Sequence, residues 1–227
     1  MAPLGDISGT LKLLRREATI GYIMAKISLK TQNAPVVILF LLWSTCLMLA
    51  FLKPGADFWS SVTGVFSDLS RKDGVFACLA PLFVFVLSGV VPVKWKEILV
   101  FWRVKHPLPG CKAFSLFAVS DPRVDIEKLG NAHGPLPTDP SAENRLWYSL
   151  YRKHEKSTAV TLAHKHYLLG RELATTAALI TVVGVVLLLV GKVSALSVVL
   201  FACAALVQYA ILAIVARNHG TRFVCSV

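Results

Sequence analysis

Four stretches of this 227-residue sequence, 34–52, 75–93, 173–190 and 194–215, contain no Asp, Glu, Lys, Arg or His. Charge is scarce in the chain as a whole, at 16% of residues against 55% hydrophobic, and mean hydropathy is +0.63. These values exclude an ordinary soluble domain. Each uncharged stretch approaches or reaches the roughly 20 residues that cross about 30 Å of hydrocarbon as a helix.

Other absences narrow the chemistry. The sequence has no GxSxG, HExxH, P-loop or GxGxxG pattern, so the common hydrolase, metalloprotease and nucleotide-binding devices are missing. Five cysteines at 46, 78, 111, 203 and 225 contain no CxxC pair, which leaves them as apolar fillers or free thiols. His164 and His166 in "HKH" lie two residues apart, a spacing that points them to different faces of a helix, so no metal site is expected. No catalytic residue and no cofactor is assigned. The uncharged stretches also argue against a proton-coupled carrier, which keeps ionisable groups inside the membrane.

What is present is an asymmetric distribution of positive charge. Of 24 Lys and Arg, 20 fall in residues 1–33, 94–172 and 216–227, and four fall in the two other connections. Because basic residues favour the cytoplasmic face, those three segments are expected inside. The expected fold is an all-α integral membrane protein with four transmembrane helices as two hairpins, 34–93 and 173–215, and a helical cytoplasmic segment, 94–172, between them. The net charge of +11 then belongs to topology and to anionic lipid headgroups. It does not call for nucleic acid, and the middle segment carries eight acids as well. Residues 1–33 are expected to form an amphipathic helix, lying on the inner leaflet or packed on the middle segment.

The second apolar stretch is expected to continue past Pro92 as one helix until Pro107 and Pro109, presenting Trp95, Ile98, Leu99 and Trp102 as an apolar face, with Trp95 and Trp102 also suited to the headgroup belt. "SDPRVDIEKLG" predicts a helix capped by Asp121 and stopped at Gly130. "TDPSAENRLWYSLYRKH" predicts another, capped by Asp139 with Pro140 at its first position. This second helix carries a Leu146, Trp147, Leu150, Tyr151 and His154 stripe and is expected to run unbroken into the third span, with Gly170 its weakest point.

Candidate ligand or partner contacts are His106, His133, Asp139, Asn144, Arg145 and Trp147. Trp102, Tyr151, Gly170 and Gln208 are candidates for packing and coupling. Gln208 could bond across a subunit interface or to a hydroxyl on a neighbouring helix.

The layout of two membrane hairpins around a compact basic segment, in about 230 residues, resembles the small four-helix membrane effectors of bacterial antiviral (abortive infection) systems. The resemblance covers the arrangement of the chain and no residue motif. It implies a non-enzymatic effector or signalling subunit of the inner membrane that forms a homo-oligomer. Such a subunit perturbs the bilayer when a cytoplasmic protein partner or a nucleotide signal engages the middle segment. A membrane-bound enzyme acting on lipid or nucleotide, and a passive accessory subunit of a membrane complex, are the other classes the sequence leaves open.

Overall fold

The computed structural model describes residues 29–52 and 82–227; the amphipathic reading of residues 1–28 and the first connection lie outside them. Among the described residues there are helices and turns but no strand. Helix α1 spans Leu29–Leu52, and residues 82–90 are helical. Four more helices follow: α2 Val93–Phe101, α3 Ile126–His133, α4 Pro140–His154 and α5 Thr158–Val190. The last is α6, Ala195–Cys225.

Helices α1, α5 and α6 are long and apolar enough to cross a membrane. At 1.5 Å per residue, the 33 residues of α5 extend about 50 Å. That exceeds the hydrocarbon thickness, so one end must project from it. The projecting end is the N-terminal one, where Lys165, Arg171 and Glu172 precede the uncharged stretch 173–190.

Two cores follow the length of the bundle. One joins Val37, Leu41 and Met48 of α1 to Ile180, Leu188 and Phe201. The other, at the polar end, gathers Phe101, Phe114, Trp147, Tyr167 and Phe223. Tertiary contacts place α5 against α6, with α1 and α2 laid on the pair.

Several boundaries differ from the sequence expectation. The helix of the second apolar stretch does not continue through Pro92. Residues 91 and 92 leave the helical state, because Pro92 has no amide hydrogen and disfavours helical geometry at Val91. The chain restarts at Val93 and stops at Phe101, eight residues before Pro109, where Trp102 adopts a left-handed φ of 53°.

The expected cap at Asp121 is also displaced. Asp121 accepts the backbone amide of Arg123 and both its Nε and Nη2, at 3.0, 2.9 and 2.6 Å, so its carboxylate is committed to a local turn. Asp125 caps α3 instead, accepting the Lys128 amide at 2.9 Å. That helix passes Gly130 and ends at His133, where Gly134 supplies a φ of 80°. The Asp139 cap occurs as expected: its carboxylate accepts the Ala142 amide at 2.9 Å, and Pro140 follows at the first helical position.

Helix α4 does not run into the third span. It ends at His154, and Ser157 is extended with ψ of 135° before α5 begins. The Thr161 hydroxyl donates to the Glu155 carbonyl at 3.0 Å, an example of side-chain hydroxyls competing with the helical backbone. The break therefore lies at 155–157 and not at Gly170. At Gly170 the helix is continuous and approaches α6 so closely that a Cβ would lie 3.0 Å from Ala216 Cα. Finally, α6 continues past Val215, so residues 216–225 of the expected tail are helical.

Candidate functional site: a buried charged clamp

Helix α2 turns its two indole rings outward, as suits the headgroup belt, keeps Ile98 and Leu99 half-buried, and turns two charges inward. Trp95 and Trp102 are exposed, whereas Lys96 and Glu97 are 3% and 1% exposed. In a membrane setting this is the sensible choice, since indole rings are favoured at the interface and charges need protein partners. The partners come from α5. Lys96 Nζ is 2.6 Å from Glu172 Oε2, Arg171 Nη1 is 2.9 Å from Glu97 Oε1, and Arg171 Nη2 is 3.5 Å from Glu172 Oε1.

Hydroxyls complete the cluster. Ser88 donates to Glu172 Oε2 at 3.3 Å, and Tyr167 donates to Glu97 Oε2. Among the described residues two acids face two bases, so their formal charges balance. Burial nevertheless raises the Glu97 carboxyl above its ordinary value, with the Arg171 guanidinium and the Tyr167 hydroxyl acting in the opposite direction.

The C-terminal end of α2 is fixed by α6. The final carbonyls of a helix lack intrahelical donors, and here α6 supplies some of them. Tyr209 OH donates to the Leu99 carbonyl at 2.7 Å, and Arg217 Nε donates to that of Val100. Trp102 closes the arrangement: its Nε1 donates to Tyr209 OH at 3.0 Å, and the Arg217 guanidinium lies 3.7 Å from its ring centroid, a cation–π contact. Short as it is, α2 is thereby bound to both long helices.

The rest of the middle segment docks on the end of α6. Trp147 is buried, donates from Nε1 to the Val224 carbonyl at 3.2 Å, and meets Phe223 edge-on at 5.3 Å. Tyr151 stacks on Trp147, and its hydroxyl lies 3.2 Å from His164 Nδ1. Glu143 is fully buried and accepts the Phe114 and Ser115 amides at 2.9 and 3.0 Å, which anchors the π-helical turn Ala113–Ala118 to α4. Its second oxygen, Oε1, has no hydrogen-bond partner among the described residues.

The candidate residues of the sequence separate into groups. His106, Asn144 and Arg145 come together and line one open cleft with Lys94 and Ser141. His133 is exposed at the end of α3 and Asp139 is the α4 cap, and neither lines that cleft. Trp147, Tyr151 and Trp102 are packing residues, as described. Gln208 Nε2 is 3.3 Å from Ser44 Oγ, so it bonds to a hydroxyl of α1 within the chain. Among the described residues no group of three or more His, Cys, Asp or Glu could hold a metal.

Sequence reasoning missed the clamp. The available signal was the pair of adjacent opposite charges, Lys96-Glu97 and Arg171-Glu172, each beside an apolar stretch. Counting the basic members as topology signals concealed their acidic neighbours. No known protein family, curated protein or solved structure matches the chain.

Proposed function

We propose that this chain is a non-enzymatic inner-membrane effector or signalling subunit, in which the middle segment restrains the helical bundle and releases it when a protein partner or a nucleotide signal binds. The supporting observation is the double attachment of α2, through the charged clamp to α5 and through Arg217 and Tyr209 to α6. A ligand that shifts the middle segment must break a buried ionic contact with the span-forming helices, and removing one charge of such a set costs about 3–5 kcal/mol.

In this reading the chain has four spans in two hairpins, forms a homo-oligomer through its apolar faces, and perturbs or permeabilises the bilayer when released, like the effectors it resembles. Both termini are cytoplasmic. Support for the common sidedness comes from two contacts: Asn33 Nδ2 donates to the Lys165 carbonyl at 3.0 Å, and Trp147 reaches Val224. They place the start of α1, the middle segment and the end of α6 at the same end of the bundle, in accord with the 20 basic residues of these segments.

The route of control differs from a continuous helix. Because α4 stops at His154, force passes through docking contacts, and Trp147 is the largest of them. Induced expression in bacterial cells should lower the membrane potential and admit a normally excluded dye. Trp147→Ala, which loosens the docking, should increase both effects at equal membrane abundance. An unchanged potential for both proteins would remove the effector reading. Loss of function confined to polar residues such as His133 and Arg145 would favour an enzyme, and unaltered partner recruitment without depolarisation would favour an accessory subunit. A reporter fused after Val227 should be active only in its cytoplasmic form, and one inserted at Asp57 only in its exported form.

A further inference from the structure

Between the start of α2 and the start of α4 lies an open cleft of about 580 Å³. Its cationic wall is Lys94 and Arg145, joined by His106 and by the Asn144 amide, and its apolar side includes Val93 and Leu108. Among the described residues no Asp or Glu lines it. The nearby acids are engaged elsewhere: Asp139 caps α4, and Glu143 faces the Phe114 and Ser115 amides. Lys94 and Arg145 are exposed and form no ion pair among the described residues. His106 is held at the rim in a left-handed conformation with φ of 50°, a conformation uncommon for a residue other than glycine.

The depth of the cleft is set by the clamp. Lys96, two residues from Lys94, is bonded to Glu172, the residue immediately before the uncharged stretch 173–190. The cleft therefore stands where hydrocarbon gives way to headgroups, and the exposed indole of Trp95 suits the same level. A cationic wall beside an apolar one, at that depth, is complementary to a molecule with a phosphate and an acyl chain. Among the described residues the His106 imidazole is the one aromatic ring in the lining, and no Phe, Tyr or Trp lines the cleft opposite it to sandwich a nucleobase.

We infer that this cleft is a binding site for an anionic glycerophospholipid, whose phosphate is held by Lys94, Arg145 and His106 while an acyl chain lies along Val93 and Leu108. This goes beyond the effector reading and does not depend on it. A cleft formed by α2 and α4 together makes lipid occupancy sensitive to how the middle segment docks.

The test uses the full chain in a neutral detergent, with native mass spectrometry read against added phosphatidylglycerol, phosphatidylcholine, glycerol 1-phosphate and adenosine monophosphate. Wild type should bind one phosphatidylglycerol saturably, in preference to phosphatidylcholine, and neither soluble phosphate should bind comparably. Lys94→Gln with Arg145→Gln should weaken phosphatidylglycerol binding about 10- to 30-fold, since each basic residue near anionic lipid contributes comparably. Lys94→Arg with Arg145→Lys should retain it. The charge-matched control Lys153→Gln with Lys156→Gln, outside the cleft, should leave it unchanged.

Equal weakening by the control pair, or none by the cleft pair, would mean a general lipid annulus and would overturn the site. Equally tight binding of a soluble phosphate would overturn the lipid as its occupant. If the Gln pair fails to fold, wild type carrying a photoactivatable phosphatidylglycerol decides the matter: crosslinks should fall in residues 93–108 and 141–145, and crosslinks elsewhere alone reject the proposal.

Discussion

Lys96 and Glu172, 76 positions apart in sequence, form a 2.6 Å ion pair with both residues buried. The pair joins the nine-residue helix α2 to α5, a helix long and apolar enough to cross a membrane, just before the uncharged stretch of α5 begins. Its energetic role is distinctive, because a buried pair contributes little net stability over an apolar replacement, while half of one is expensive.

Lys96→Met should therefore destabilise the protein by about 3–5 kcal/mol. The double variant Lys96→Met with Glu172→Met removes opposite charges together and leaves Arg171 with Glu97, so it should lose much less than the two single variants combined. Thermal unfolding in micelles measures the cycle. Strict additivity would show that the pair is not energetically coupled.

The Asp139 cap should be worth about 0.5–2 kcal/mol, the usual loss on replacing such a residue with alanine. Asp139→Ala leaves the Ala142 amide without its 2.9 Å acceptor. Faster hydrogen exchange is expected in the first two turns of α4. If those amides exchange at the wild-type rate, the cap does not stabilise the helix.

Two glycines should respond in opposite directions. A Cβ on Gly110 would lie 2.5 Å from Asn144 Oδ1 and 2.7 Å from Trp147 Cε3, so Gly110→Ala should cost about 1–3 kcal/mol through overpacking. Gly130 lies within α3 and a Cβ there would meet nothing within 4 Å. Gly130→Ala should stabilise by about 0.4–1 kcal/mol, because alanine restricts the unfolded chain. Melting temperatures that move the same way for both variants would contradict this account.

Cys111 should resist alkylation. Burial pushes its thiol above the ordinary value, and the Glu143 carboxylate adds to the effect. Since the thiolate is the reactive form, maleimide labelling of Cys111 at pH 7.5 should be slow in the native protein. The rate should still be rising above pH 9, and unfolding should accelerate it at any pH. Rapid native labelling near neutral pH would show the thiol to be accessible and unshifted.

Much of the fold could be read directly from the residues. Long uncharged stretches determined α1, α5 and α6 as helices long and apolar enough to cross a membrane, because neither exposed apolar surface nor unpaired backbone is tolerated in the wrong solvent. The Asp139-Pro140 start of α4 was legible because capping is local: a side chain and an amide three residues away settle it. Even so, Asp121 in a similar context did not cap, since Arg123 at short range offered a competing charged partner.

Tertiary structure alone decided which face of α2 is inside. Periodicity places Trp95, Ile98, Leu99 and Trp102 together, but it cannot distinguish a face that packs on protein from one that meets lipid, since both are apolar. The decision rests on Arg171 and Glu172, remote in sequence, which offer Lys96 and Glu97 neutralising partners and so turn those charges inward. In the same way, only the fold brings Lys94, His106 and Arg145 to one cleft. Local spacing constrains neighbours within a few residues, whereas the cost of burying a charge is decided by whichever distant group arrives to pair with it.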